Sequence, residues 1–365
     1  MVSILATADW QLGKLFGRIG ADARQFREQL FLTAEYIINE LAPKHDIVLI
    51  MGDTFDRPDA DWDLIERVSN LLKSCKTPIH IIPGNHDYWH NSGVLWALKK
   101  RLEDSPHIVI HSEQNPYHEK GLGMTIYPGV LRQRNDLSDR TSWITQRDES
   151  DGIRVGMFHE SIQPIGNFDP NVSKKFDLDL SLLGDWHGPK KDIKDSLIDQ
   201  PENKLWYAGS PEAQKLGQPW QGRVLSIEVE LGKDPVVEPI YVGKLRFQDI
   251  NFEFTEEMEN PIVSLSNIID GVKGDATTTY IRLQLTGELA PTLLEELEQF
   301  LQEFSSQWPI NEVDLDNVSI IIGLDDVGNV PTLSLIEKEL LEMKLSPTIL
   351  ARSILLLRKY YRRLA

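Results

Sequence analysis

Five short segments of this chain concentrate side chains that bind metal ions or move protons. They are Asp9-Trp10-Gln11, Gly52-Asp53-Thr54-Phe55-Asp56, Gly84-Asn85-His86-Asp87, His159-Glu160 and Gly184-Asp185-Trp186-His187. Carboxylates suit hard divalent cations, and one carboxylate can bridge two ions about 3.5–4 Å apart. Asparagine supplies a neutral oxygen, and histidine a nitrogen for first-row transition metals. In Asp9-x-Gln11 and Asp185-x-His187 the spacing is two, so on extended backbone both side chains leave on the same side. Each tight segment can therefore present two ligands toward one cluster. No nucleophile elbow and no P-loop glycine pattern competes with this chemistry.

Each segment follows an apolar, β-branched run: SILATAD, DIVLIMGD, PIHIIPGNHD, IRVGMFHE and LSLLGDWH. Ligands at the carboxyl ends of strands sit on loops that a rigid scaffold holds. Amphipathic stretches at 24–41 and near 62–74 separate the first three runs, which predicts βαβ units and a mostly parallel sheet. Beyond about residue 105 the pattern turns strand-rich, with HIVIHS, MTIYPG, KLWYAGS, RVLSIEVEL and VVEPIYVG, and suggests a second sheet packed on the first. Residues 1–245 are thus expected to form an α/β domain, a two-sheet β-sandwich flanked by helices. Residues 246–330 read strand, helix (about 256–269), strand, helix (about 291–305), strand: a small acidic α+β capping domain. Residues 331–365 read as a connector and a C-terminal helix.

The 365 residues suffice for two domains with real cores. No apolar run approaches the roughly 18 residues of a membrane span. The N-terminus lacks the basic start and cleavage site of a signal peptide. A single cysteine, Cys75, excludes an internal disulfide framework and fits a reducing cytoplasm; its apolar-patterned helix makes it a buried, inert thiol. The net charge of −18 is uneven: residues 251–343 carry 3 basic and 19 acidic side chains, and residues 344–365 carry 6 basic and none acidic. Because nucleic acid is bound through Lys and Arg clusters, the acidic stretch is not expected to be a DNA-contacting face.

The order GDxxD, GNHD, a lone histidine and a closing GxxH resembles the calcineurin-like metallophosphoesterase superfamily. The wording TADWQLG, GDTFDRP, PGNHD, GDWHG and WYAGSPE is similar to the SbcD-type DNA nuclease subunits, over residues 1–245. That resemblance implies one metal on Asp9, Gln11, Asp53 and His187, and a second on Asp53, Asn85, His159 and Asp185, with Asp53 bridging. It implies that His86 protonates the leaving group and that Asp87 orients His86. The implied reaction is two-metal hydrolysis of phosphodiester bonds in DNA by in-line attack on phosphorus. Two positions depart from the pattern, since Gln11 and Asp185 stand where the family usually has histidine. Replacing two nitrogens by oxygens shifts preference toward Mn²⁺, or Mg²⁺, and away from Zn²⁺. A small-molecule or protein phosphoesterase, and a catalytically weak scaffold, are the other readings.

Bland roles compete at several positions. Asp56 and Asp87 can cap loops through backbone N–H groups. Trp10 and Trp186 read as core aromatics, Glu160 as a solvated acid, and Arg57 as an ion-pair partner or a phosphate contact. His45, His80, His90, His107, His111 and His118 read as structural or surface residues. Toward the C-terminus, Ser346-Pro347 is a helix start. Leu350, Ile354, Leu357, Tyr361 and Leu364 then follow at steps of four and three, a coiled-coil-like seam among basic residues. This helix packs on its own domain, docks on a partner, or contacts DNA or a membrane surface directly. The resemblance implies the second, with an SMC-type (SbcC-like) ATPase, and also implies a homodimer.

Overall fold

The structure, a computed structural model, describes residues 1–148, 150–162, 166–187, 200–218, 220–255, 257–290 and 293–320, with Met343 and Ser353. It divides into two compact units, Met1–Arg246 and Phe247–Ala365. The predicted C-terminal helix, with Leu350, Ile354, Leu357, Tyr361 and Leu364, lies outside the described residues.

In the first unit, strands β1 (Val2–Thr7), β2 (Ile47–Met51), β3 (Ile79–Ile82) and β4 (Ile108–Ile110) pair in parallel. All five β2 residues and all four β3 residues are buried, as expected for strands covered on both faces. Helices α1 (Ala23–Tyr36), α2 (Trp62–Ser74) and α3 (Val94–Arg101) connect them. Helix α2 starts where the Asp61 carboxylate accepts the Leu64 N–H at 2.8 Å, and it buries Ile65, Val68, Leu71 and Leu72 on one face.

The second sheet runs β5 (Tyr117–Glu119), β6 (Met124–Pro128), β7 (Ile153–His159), β8 (Leu180–Gly184) and β9 (Leu205–Tyr207). The two sheets close on one core, in which Ile4, Leu49 and Met51 meet Ile126, Val155 and Leu182. The far face of the second sheet carries Tyr127, Phe158, Leu183 and Tyr207, with Phe176 from helix α4 (Val172–Phe176).

The strand-rich second half does not all enter the second sheet. HIVIHS forms β4 of the first sheet. RVLSIEVEL and VVEPIYVG form β10 (Arg223–Val229) and β11 (Val236–Tyr241), which return to the first sheet antiparallel, with Ile227 opposite Ile4. Apolar alternation defines a strand but not its neighbour, so these pairings were not readable.

The second unit orders β12 (Arg246–Phe254), α5 (Pro261–Asp270), β13 (Thr279–Leu289), α6 (Leu294–Gln307) and β14 (Asn311–Ile320). This is the succession expected from its pattern. The sheet runs β12-β13-β14, and Phe254, Leu265, Ile269, Leu283 and Phe304 form its core.

Candidate metal centre

The loops after β1, β2, β3 and β8, and the last residue of β7, meet at the carboxyl ends of both sheets. The backbone there is unusual. Asp9, Gln11, Asp53 and Asp185 have φ of 54°, 50°, 52° and 80°, in the left-handed region that non-glycine residues avoid. Each such residue costs about 1–3 kcal/mol and persists only where its surroundings over-determine it. Three backbone bonds do this here: Asp9 N–H to Gly52 at 3.0 Å, Gln11 N–H to Asp53 at 2.9 Å, and Leu12 N–H to Thr54 at 3.0 Å. Glycine is required alongside. A Cβ on Gly52 would stand 2.5 Å from His159 Nδ1, and one on Gly84 would stand 2.1 Å from the Asp53 carboxylate.

These loops bring seven predicted ligands into one connected cluster. Ligand atoms of Asp9, Asp53 and His159 lie within 4.8 Å of one another, and all three residues are buried. His159 Nε2 is 3.5 Å from Asp53 Oδ2 and 3.9 Å from Asp185 Oδ1. His187 Nε2 is 3.6 Å from Asp9 Oδ1. The Gln11 amide donates to Asp53 Oδ2 at 2.5 Å, and the Asn85 amide to Asp185 Oδ1 at 2.9 Å.

The donor set fits divalent cations. Asp9 Oδ1, Gln11 Oε1, Asn85 Oδ1 and His159 Nε2 are buried and accept no hydrogen bond among the described residues. A buried polar atom without a partner costs about 1–3 kcal/mol, so four in one cluster call for a ligand that takes lone pairs. His159 Nδ1 lies 2.7 Å from the Met51 carbonyl, to which it donates, leaving the Nε2 lone pair pointed at the carboxylates. Electrostatics agree. Burial, with the charges of Asp53 and Asp185, raises Asp9 well above the usual carboxylate range despite His159. Burial opposes a charge on His159, but Asp53, Asp9 and Asp185 outweigh it and raise that group well above its ordinary value. The cluster demands positive charge, which divalent cations would supply. Burial pushes His187 down to about 4, so it stays neutral and able to ligate. Asp9, Gln11, Asp53 and His187 would hold one ion, and Asp53, Asn85, His159 and Asp185 the other.

His86 stands beside the cluster, its backbone N–H donating to Asp53 Oδ1 at 2.8 Å. The expectation that Asp87 orients it is corrected. His86 Nδ1 faces the Asp56 carbonyl at 2.7 Å. The Asp87 carboxylate instead accepts the backbone N–H groups of Gly84 at 2.7 Å and of Asp53 and Phe55 at 3.2 Å each. It ties the β2 and β3 loops together, and burial beside Asp53 pushes it up to about 7. The Asp56 carboxylate pairs with Lys14 at 3.0 Å.

Other residues take structural places. Trp10 is 1% exposed and donates to Thr7 Oγ1, and Trp186 is buried beside Tyr207, so both are core aromatics. Glu160 is not solvated: it pairs with the buried Arg140 guanidinium at 2.6 Å. Arg57 is exposed, 3.3 Å from Asp59, and lines a cavity with His86. Supports that sequence reasoning missed are Ser161, which donates to Asp185 Oδ2 at 2.5 Å, and Gln214, which joins Ser210 in donating to the Asp9 carbonyl. Ser210 lies within the WYAGSPE wording, which ends two residues before Gln214.

The calcineurin-like phosphoesterase family profile matches residues 2–189, more than half of the chain, and the chain belongs to that family. Among curated proteins it is 30% identical over 162 residues to the SbcD subunit of the nuclease SbcCD of Bacillus subtilis, covering 40% of this chain and 39% of that one. It is also 30% identical over 102 residues to a probable glycerophosphodiester phosphodiesterase GpdQ of Arcobacter nitrofigilis, covering 27% of this chain and 36% of that one. The chain thus spans little more than a third of the length of these relatives. Among solved structures, TT1561 of Thermus thermophilus matches with a TM-score of 0.40 at 13% identity, over 66% of this chain and 99% of that chain.

Proposed function

We propose that this chain hydrolyses phosphodiester bonds in DNA with two divalent cations, Mn²⁺ foremost, as the nuclease subunit of a cytoplasmic complex with an SMC-type ATPase. The observation that carries the reading is the cluster itself: seven ligand-capable side chains, four with unpartnered buried lone pairs, beside a half-buried histidine. The DNA and ATPase parts rest on the wording shared with SbcD-type subunits and on the partial likeness to a nuclease subunit. When bound, the cations would activate water and offset charge on the phosphoryl oxygens. The chain's own share is positional. With Nδ1 held on the Asp56 carbonyl, His86 can donate its Nε2 proton to the leaving oxygen, and the carbonyl steadies the imidazolium that does so. Arg140 neutralises Glu160 next to His159, which keeps one more carboxylate charge from the ligands.

The test is Mn²⁺-dependent cleavage of linear and single-stranded DNA, with and without a co-expressed ATPase partner. Asp53→Asn and His86→Ala should each lower the rate at least about a hundredfold. Uncut DNA under all conditions, with metal-free protein by elemental analysis, would sink the claim. The partial likeness to a glycerophosphodiester phosphodiesterase favours a second reading, a small-molecule phosphodiesterase. It predicts turnover of glycerophosphodiesters while DNA stays intact.

A further inference from the structure

Two cavities flank the metal centre, and they share Asn85 and Arg134. The larger, about 530 Å³, opens over Asn85, His159 and Asp185, and its rim carries more carboxylates than cations. The smaller, about 370 Å³, lies against His86, with Arg57 and Tyr88 in its wall. That volume is within the range of small-ligand sites.

Arg134 differs from the arginines around it. Arg132 pairs with Glu113 at 2.8 Å, Arg140 with Glu160 at 2.6 Å, Arg147 with Asp179 at 2.8 Å, and Arg154 with Asp151 at 2.9 Å. Arg134 is exposed at the mouth of both cavities and makes no hydrogen bond or ion pair with another described residue. Among the described residues this guanidinium stands unpaired beside the candidate metal centre.

We propose that the His86-side cavity is a leaving-group subsite and that Arg134 grips a phosphate carried by the leaving group. The substrate is then a nucleotide chain that continues past the bond being cut. The inference rests on the nuclease reading above and adds the extent of the substrate. In hydrolysis a water oxygen forms the new bond to phosphorus, its proton leaving to solvent. The bond to the leaving oxygen breaks, and that oxygen takes the His86 proton. The leaving group must therefore lie against His86, where the smaller cavity is. A planar guanidinium meets phosphate with two parallel N–H bonds, and Tyr88 offers a ring face beside it.

The test compares a single-stranded DNA oligonucleotide with bis(p-nitrophenyl) phosphate, whose leaving group carries no phosphate. Arg134→Ala should lower kcat/KM on the oligonucleotide about tenfold or more, mostly through KM, and weaken the salt dependence by about one phosphate contact. Bis(p-nitrophenyl) phosphate should lose far less, and Arg134→Lys should recover part of the oligonucleotide rate. Arg132→Ala, on the same loop and outside both cavities, should stay within about twofold on both substrates. Equal losses on the two substrates, or none, would overturn the subsite while leaving the nuclease reading intact. A wild type that turns over bis(p-nitrophenyl) phosphate but leaves the oligonucleotide uncut would overturn the nuclease reading itself, and the subsite with it.

Discussion

Gln11 and Asp185 bring oxygen donors to the cluster where the resemblance expects nitrogen. Each is held: the Gln11 amide on Asp53, and the Asp185 carboxylate between Asn85 and Ser161. Oxygen donors favour hard cations, and imidazole favours zinc and its neighbours. Gln11→His should therefore raise affinity for Zn²⁺ relative to Mn²⁺ about tenfold, read by competition titration with elemental analysis. Unchanged relative affinity would mean that Gln11 is not a ligand. The candidate ligands that the structure gathers were legible, because their segments follow apolar runs and Asp53, Asn85 and Asp185 each follow a glycine with no room for a Cβ. Their supports were not. Gln214 reaches the Asp9 carbonyl across 205 positions, and nothing local in the sequence marks such a pair.

At the scale of elements, the sandwich is joined by a polar contact as well as by its core. His80 of β3 lies 3.0 Å from His111, and its other nitrogen is 3.5 Å from Glu119 of β5. Tyr117 of β5 stands edge-on to both rings. Burial pushes His80 down to about 4, and burial with the nearby charges of His80 and Lys99 lowers His111 well below its ordinary value. Below pH about 6.5 the unfolded chain takes up protons on both imidazoles, whereas in the folded chain His80 does so only near pH 4 and His111 is held well below its ordinary value. Folding stability should therefore be full above pH 6.5 and fall as pH drops through that window, by up to about 1.4 kcal/mol per pH unit for each imidazole. Urea unfolding of His80→Gln against wild type at pH 7 and pH 5 checks this. The variant should lose less stability on acidification, and an identical loss would refute the assignment. The sequence marked both histidines as structural but gave no sign that they touch, because apolar runs do not say that β3 and β4 are neighbours, nor that β5 of the other sheet closes over the pair.

At the scale of the molecule, we propose a three-part organisation: a phosphoesterase domain over 1–245, an acidic domain over 246–330 that restricts or orients substrate, and a partner-binding segment over 331–365. The first two follow from where apolar periodicity and charge change. The third follows from charge and seam alone, since Leu350, Ile354, Leu357, Tyr361 and Leu364 lie outside the described residues. Residues 251–343 carry 19 acidic and 3 basic side chains, and residues 344–365 carry 6 basic and none acidic. Such a reversal beside an apolar seam suits docking against a partner's helices better than a solvated end. A chain ending at Met343 should fail to co-purify with the ATPase while still hydrolysing bis(p-nitrophenyl) phosphate with Mn²⁺ at a rate within about twofold of the full chain, because every predicted ligand lies before residue 190. Pull-down and turnover on the same preparation separate the alternatives. Loss of both would mean that the segment packs on its own domain and supports the fold. Retained ATPase binding would place the partner surface elsewhere.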